Sequence, residues 1–210
     1  MPEARITIFD YGAGNLHSLA KAVASAGTEP VIESDPVRAV QTDVLLLPGV
    51  GAFTPAAERL ATGRDVMRRA LEDGLPCLGI CLGMQLLFDS SDEGPGAGIG
   101  IVPGHVARIA AERLPQIGWN SIEQPTDPLF VASGLHHVYY ANSYACHPDD
   151  PSCVTSWSTH EGDRFPASVR RGRTLGVQFH PESILTQGGL AILRNFLALA
   201  AAFHARPRAA

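Results

Sequence analysis

This chain of 210 residues carries no excess of positive charge: 16 Lys and Arg stand against 21 Asp and Glu, and no basic run appears. That leaves no electrostatic footprint for nucleic acid. Long hydrophobic runs are missing too. No stretch approaches the roughly 20 apolar residues of a membrane span, and Met1-Pro2-Glu3-Ala4-Arg5 lacks the apolar core of a signal peptide, so no membrane association and a cytoplasmic location are expected. Cysteine is sparse: Cys77, Cys81, Cys146 and Cys153 fit no Cys-x-x-Cys spacing and are too few for a disulfide scaffold. Cys77 reads as a small buried apolar residue, and Cys146-His147 with Cys153 sit among loop residues, so neither a metal nor a cofactor is expected. With no internal repeat and no long linker, a single domain over 1–210 is expected, with 206–210 a frayed tail. Its 45% hydrophobic content is enough to bury a sizeable core.

In the first half, strand and helix patterns alternate. Strands are predicted at 5–9, 29–32 and 43–47, and helices at 16–26 (closed by Gly27), 55–60 and 65–72, before an apolar strand that runs into Cys81. Alternation of this kind implies a parallel sheet with helices on both faces. The second half changes to shorter strands at 105–109, 137–141, 153–157 and 167–170, expected as antiparallel additions to the same sheet. A closing helix is predicted at 188–204, with Leu190, Leu193, Leu197 and Ala201 near one face, and residues 90–100 read as a flexible loop. The expected fold class is α/β, a mostly parallel open sheet.

Within this pattern, Gly79-Ile80-Cys81-Leu82-Gly83 is a nucleophile elbow: a strand, a sharp turn and a helix start, with glycines flanking the exposed residue. A thiol at a helix N-terminus is favoured as thiolate by the helix dipole and the free N–H groups. About a hundred residues later, Gln178-Phe179-His180-Pro181-Glu182 follows a short apolar strand and supplies a base and a carboxylate two residues apart. In an extended segment, held so by Pro181, both side chains would share one face and the carboxylate would fix the imidazole tautomer. Cys81 and His180 both follow predicted strands, at the sheet edge where open α/β folds collect their chemistry. Leu47-Pro48-Gly49-Val50-Gly51 is a strand ending in a glycine loop that can aim N–H groups at an oxyanion.

With these elements the chain resembles the class I glutamine amidotransferases, and within them the glutaminase subunits of imidazole glycerol phosphate synthases. The resemblance covers nearly the whole chain. It is carried by Asp10-Tyr11-Gly12-Ala13-Gly14-Asn15-Leu16, Pro48-Gly49-Val50-Gly51, the elbow, Gly118-Trp119-Asn120, Asn142-Ser143-Tyr144 and His180-Pro181-Glu182. It implies glutamine hydrolysis by a Cys81, His180, Glu182 triad, and an oxyanion hole from the N–H groups of Leu82 and of Val50 or Gly51. It implies substrate contacts at Gly51, Gln85, Asn142, Ser143 and Tyr144, and a (β/α)₈ cyclase partner docked near Trp119 and Asn120 that uses the ammonia.

The chain departs from the family at two places. Asn142 stands where the family often has histidine, and Ser183-Ile184-Leu185-Thr186 follows Glu182 where lysine is usual. The latter run resembles the glutaminase subunits of anthranilate and aminodeoxychorismate synthases, whereas the stretches around Asp10 and Val50 favour the imidazole glycerol phosphate branch. A rival dinucleotide fingerprint at Gly12-Ala13-Gly14 with Glu33 lacks its third glycine, since His17 stands there, and 96–100 has no Gly-Lys pair for a P-loop. Against a catalytically silent regulatory module stands the presence of all three triad residues.

Overall fold

The computed structural model describes residues 4–12 and 15–205. Ala13 and Gly14 of the rival dinucleotide motif, and the expected frayed tail at 206–210, lie outside them. The first half runs β1 (Ile6–Phe9), α1 (Leu16–Ser25), β2 (Val31–Glu33), α2 (Pro36–Ala39), β3 (Val44–Leu47), α3 (Phe53–Leu60), α4 (Arg64–Glu72), β4 (Cys77–Ile80) and α5 (Leu82–Gln85). The second half runs β5 (Ser90–Ser91), β6 (Gly104–Arg108), β7 (Gln116–Ser121), β8 (His137–Asn142), β9 (Tyr144–Pro148), β10 (Val154–His160), β11 (Asp163–Arg171), β12 (Thr174–Val177) and α6 (Gly189–Ala205).

The central sheet has the order β10-β11-β12-β4-β3-β1-β2, parallel from β12 to β2, with β11 and β10 added antiparallel. The inner strands β1, β3 and β4 are sandwiched, so each feeds two cores by alternation. Ile6, Ile8, Leu46, Leu78, Ile80, Leu175 and Val177 point to the side covered by α1 and α6. Phe9, Leu45, Leu47 and Cys77 point to the side where Phe53, Leu60, Met67 and Leu71 of α3 and α4 pack. Burial pushes the Cys77 thiol up, which suits an inert core residue.

Three expectations need correction. Of the four strands expected as antiparallel additions, only those at 153–157 and 167–170, in β10 and β11, join the central sheet. β6 pairs with β5 and β9, and β7 with β8, as separate small sheets, because period-two patterning marks a strand without naming its partner. α6 buries Ile192, Leu193, Phe196 and Ala200; of the expected stripe, Leu193 is buried and Leu190 and Leu197 are half-buried, while Ala201 is exposed; a helix apolar on most sides has an ambiguous stripe. Residues 90–100 are tied down: Thr54 donates to the Pro95 carbonyl at 2.7 Å, the Ile99 N–H to Leu86 at 2.7 Å, and Ile99 is buried.

Candidate active site

Three strands end together at the C-terminal edge of the parallel sheet, and each delivers one part of the site. β3 leads into the loop 48–51, β4 into Cys81, and β12 into Gln178, Phe179 and His180. Cys81 has φ +46°, a left-handed conformation for a residue with a Cβ, which costs on the order of 1–3 kcal/mol and persists only where the surroundings enforce it. The enforcement is steric. A Cβ at Gly79 would stand 2.6 Å from the Gly83 carbonyl oxygen, and one at Gly83 would stand 2.7 Å from the carbonyl carbon of Leu47. The two glycines let α5 seat directly on β3 and β4, which pushes the thiol out over the sheet edge.

Cys81, His180 and Glu182 come together at this edge. His180 Nδ1 and Glu182 Oε1 are 2.8 Å apart, and Cys81 and the ring share the wall of one cavity, close enough to interact. Burial pulls the imidazole pKa down, but the facing side chain of Cys81, with that of Glu182, outweighs it and pushes it up to about 11. The path to this geometry is not an extended segment. The Ser183 N–H returns to the His180 carbonyl at 3.2 Å, so Pro181 and Glu182 are the middle of a β-turn, where proline's fixed φ suits the second position. Thr186 braces the turn: its hydroxyl donates to the His180 carbonyl at 2.7 Å and accepts from the Tyr139 N–H at 3.2 Å.

The N–H groups expected to hold an oxyanion are not all free. The Leu82 N–H donates to the Gly49 carbonyl at 3.4 Å, so a peptide oxygen occupies the direction an oxyanion would take. The loop is pinned at both ends, by a hydrogen bond from the Tyr11 hydroxyl to the Pro48 carbonyl and by the Phe53 N–H on Glu93 Oε2 at 3.1 Å. Tyr11 is wholly buried, and burial together with the charges of Cys81 and Glu182 holds its phenol well above its usual pKa.

A cavity of about 280 Å³ opens over the thiol, and Gly51, Leu82, Gln85, Glu93, Asn142, Ser143 and Tyr144 line it. Gln85 is buried, not solvent-facing, and its Nε2 donates to the Tyr144 carbonyl at 3.1 Å; Asn142 Nδ2 donates to the same carbonyl at 3.0 Å. The imidazole that the family often has in place of Asn142 is thus replaced by an amide whose NH₂ is held by the backbone and whose Oδ1 is buried without a partner among the described residues. Glu93 and Gln178 escaped the sequence reading. Glu93 lies in a loop whose composition signals flexibility, and Gln178 is masked by the His-Pro-Glu motif beside it.

Trp119 and Asn120 part company. Trp119 is 62% exposed, edge-on to Tyr139, with its indole N–H on the Leu185 carbonyl at 2.7 Å. Asn120, on the other face of β7, is half-buried and donates to the Thr159 carbonyl at 2.8 Å, which ties its side chain to β10. Next to the triad, a groove of about 890 Å³ is lined by Asn15, Lys21, Val50, Tyr139, Glu182 and Ile184 among others.

The family model for glutamine amidotransferase class I matches residues 7–200. An imidazole glycerol phosphate synthase subunit HisH from Acaryochloris marina is 41% identical over 210 residues, covering 96% of this chain and 98% of that one. The subunit of the same name from Corynebacterium glutamicum is 41% identical over 207 residues, covering 91% and 97%. Among solved structures, a glutamine amidotransferase superposes with a TM-score of 0.74 at 21% identity, covering 93% of this chain and 98% of that one. PurLQS from Thermotoga maritima superposes with 0.69 at 18%, covering 94% and 99%. At those identities the two structures speak for the fold alone.

Proposed function

Since the chain belongs to the class I glutamine amidotransferases, in the family of imidazole glycerol phosphate synthase HisH subunits, we propose the following role. It hydrolyses glutamine to glutamate and ammonia and passes the ammonia to a (β/α)₈ cyclase, which makes imidazole glycerol phosphate and aminoimidazole carboxamide ribotide in histidine biosynthesis. Cys81 attacks the amide carbon as thiolate. His180, as imidazolium, gives its proton to the departing ammonia, leaving a thioester, and then takes a proton from the water that cleaves it. Glu182 holds Nδ1 and steadies the ring's charge. The observation that carries this reading is the line from Glu182 through His180 to Cys81 at the mouth of the cavity.

Glutamine brings both an ammonium and a carboxylate into the cavity. Glu93 is the one acidic side chain on its wall among the described residues and suits the ammonium, while Gly51, Gln85, Ser143 and Tyr144, with Asn142 beside them, frame the rest. For Leu82 and Val50 or Gly51 to hold the oxyanion, the Gly49–Val50 peptide has to turn so that its carbonyl leaves the Leu82 N–H. The resting enzyme is then slow, and a partner whose ligand favours the turned loop speeds it up. The exposed apolar side chains Val50 and Ile184 line the groove next to the triad, exposed Trp119 stands against Tyr139 of its wall and exposed Ile117 pairs with Ala141 of the same wall, which suits a docking rim. The working enzyme is a cytoplasmic heterodimer, with lyase chemistry in the partner.

Cys81→Ser tests the chemistry: glutamine-dependent synthesis falls by several orders of magnitude while synthesis driven by added ammonia survives. Unchanged glutamine turnover would sink the mechanism. Ser183 to Thr186, which resemble the anthranilate branch, supply the rival pathway. Mixing the chain with a histidine-pathway cyclase or with an anthranilate synthase large subunit, and measuring glutamate release, separates the two. Stimulation by the cyclase is expected, and stimulation only by the other partner overturns the assignment.

A further inference from the structure

Resting on the reading of Cys81 as the nucleophile, we propose that Gln178 is a further catalytic residue: its side-chain amide donates a hydrogen bond to the sulfur and holds the thiolate, and Gln85 keeps the donor end facing that way. Gln178 is fully buried and immediately follows β12, with its backbone N–H fixed on the Ala167 carbonyl at 2.9 Å. Its Nε2 lies 3.4 Å from Cys81 Sγ, and its Oε1 accepts from Gln85 Nε2 at 3.4 Å.

The direction of the amide follows from a chain of forced choices. A backbone carbonyl only accepts, so the end of Gln85 that meets the Tyr144 carbonyl at 3.1 Å is its NH₂. The second hydrogen of that NH₂ serves Gln178, so the end of Gln178 it meets is the oxygen. What remains for the sulfur is a donor. With the amide reversed, two NH₂ groups would collide and a carbonyl oxygen would face a negative sulfur in a site where Cys81 is only 6% exposed.

This donor matters because the neighbouring ones are occupied or mobile. The Leu82 N–H is taken by the Gly49 carbonyl, and the loop donors depend on the loop turning. Gln178 follows β12 and does not depend on the loop, so it donates to the sulfur in the resting state as well as in the active one. Gln85 lines the cavity, which makes the two amides a relay from the substrate pocket to the nucleophile.

The test is the rate at which iodoacetamide alkylates Cys81 in the isolated chain, read by mass spectrometry across pH; it needs neither glutamine nor a partner. Gln178→Met is expected to slow alkylation about tenfold at pH 7, with recovery as the pH rises, and Gln178→Glu, which sets a carboxylate against the sulfur, to slow it more. Gln85→Met, which never touches the sulfur, slows it about threefold, and the double variant is no slower than Gln178→Met alone. In the cyclase-stimulated glutamate assay, Gln178→Met lowers kcat and leaves KM within about twofold. The proposal is overturned if a folded Gln178 variant alkylates within about twofold of the parent rate, or if the Gln85 and Gln178 effects multiply. Should both Gln178 variants melt early, Gln85→Met decides alone: slowing supports the relay and the parent rate refutes it. If the parent releases no glutamate under any condition while the alkylation pattern holds, the glutaminase reading falls and the role of Gln178 stands.

Discussion

Gly83→Ala adds one methyl group at the point where the elbow meets the sheet. The new Cβ would stand 2.7 Å from the Leu47 carbonyl carbon and 2.8 Å from the Leu47 Cβ, and closer still to the carbonyl oxygen. Ordinary contact begins at 3.4 Å, so the carbon contact alone demands an opening of about 0.7 Å (3.4 less 2.7), and the oxygen demands more. α5 has no slack, because Gly79 already brings it onto β4 with no side chain between them. Relief must come from lifting α5, which carries the Leu82 N–H, or from displacing the end of β3, which leads into the loop 48–51. Either movement shifts the thiol against the oxyanion donors by something near 1 Å, a misplacement that costs about 100-fold in rate. Overpacking itself costs about 1–3 kcal/mol, a fall in Tm of several degrees for a chain of this size. The assay is glutamate release with the cyclase present, beside a thermal melt, with Gly98→Ala as the comparison. A Cβ at Gly98 would also collide with backbone, 2.8 Å from the Leu86 carbonyl oxygen, but away from the loop 48–51. Gly98→Ala is expected to lose stability and keep glutamate release within about threefold. The reasoning fails if Gly83→Ala releases glutamate at the parent rate, or if Gly98→Ala is equally inactive, since the loss would then be general destabilisation.

His180→Ala should be nearly as damaging as Cys81→Ser, with Glu182→Gln milder because orientation contributes less than proton transfer; steady-state kinetics in the reverse order would move the proton transfer to Glu182. The ring of His180 should stay protonated until about pH 11 in the folded parent, and lose its proton at much lower pH in Cys81→Ala, where burial is no longer outweighed by the facing side chain of Cys81; a titration followed by NMR of the ring protons reads this directly. The sign for stability follows. A folded value of about 11 lies above the ordinary 6.5, so the contribution of His180 is complete below about pH 6.5 and is lost as the pH climbs through 11. Trp119→Ala should weaken binding of the cyclase and uncouple ammonia release from its use, with little change in the melt of the isolated chain, since the indole is 62% exposed; unaltered binding by titration calorimetry would remove Trp119 from the interface.

What the sequence determined by itself is the part of the molecule governed by local rules. Apolar runs bounded by turns marked β1, β3 and β4, Gly27 closed α1, and the glycines around Cys81 announced an elbow, because a strained φ and a close approach leave a chemical trace in the chain. His180 and Glu182 were legible as a pair because two residues span the distance in more than one backbone conformation; that the conformation is a β-turn was not. Tertiary structure alone decided what depends on neighbours remote in sequence. It set which small sheet β6 and β7 join, and which side of an all-round apolar α6 is buried. It tied the Asn120 side chain to β10 while leaving Trp119 outside, and it closed the Leu82 N–H with the Gly49 carbonyl. It also brought Gln178 to Cys81, 97 residues away. The physical reason is the same in each case: a hydrogen bond or a packed face is defined by two partners, and the chain spells out the chemistry of each partner without stating which ones meet.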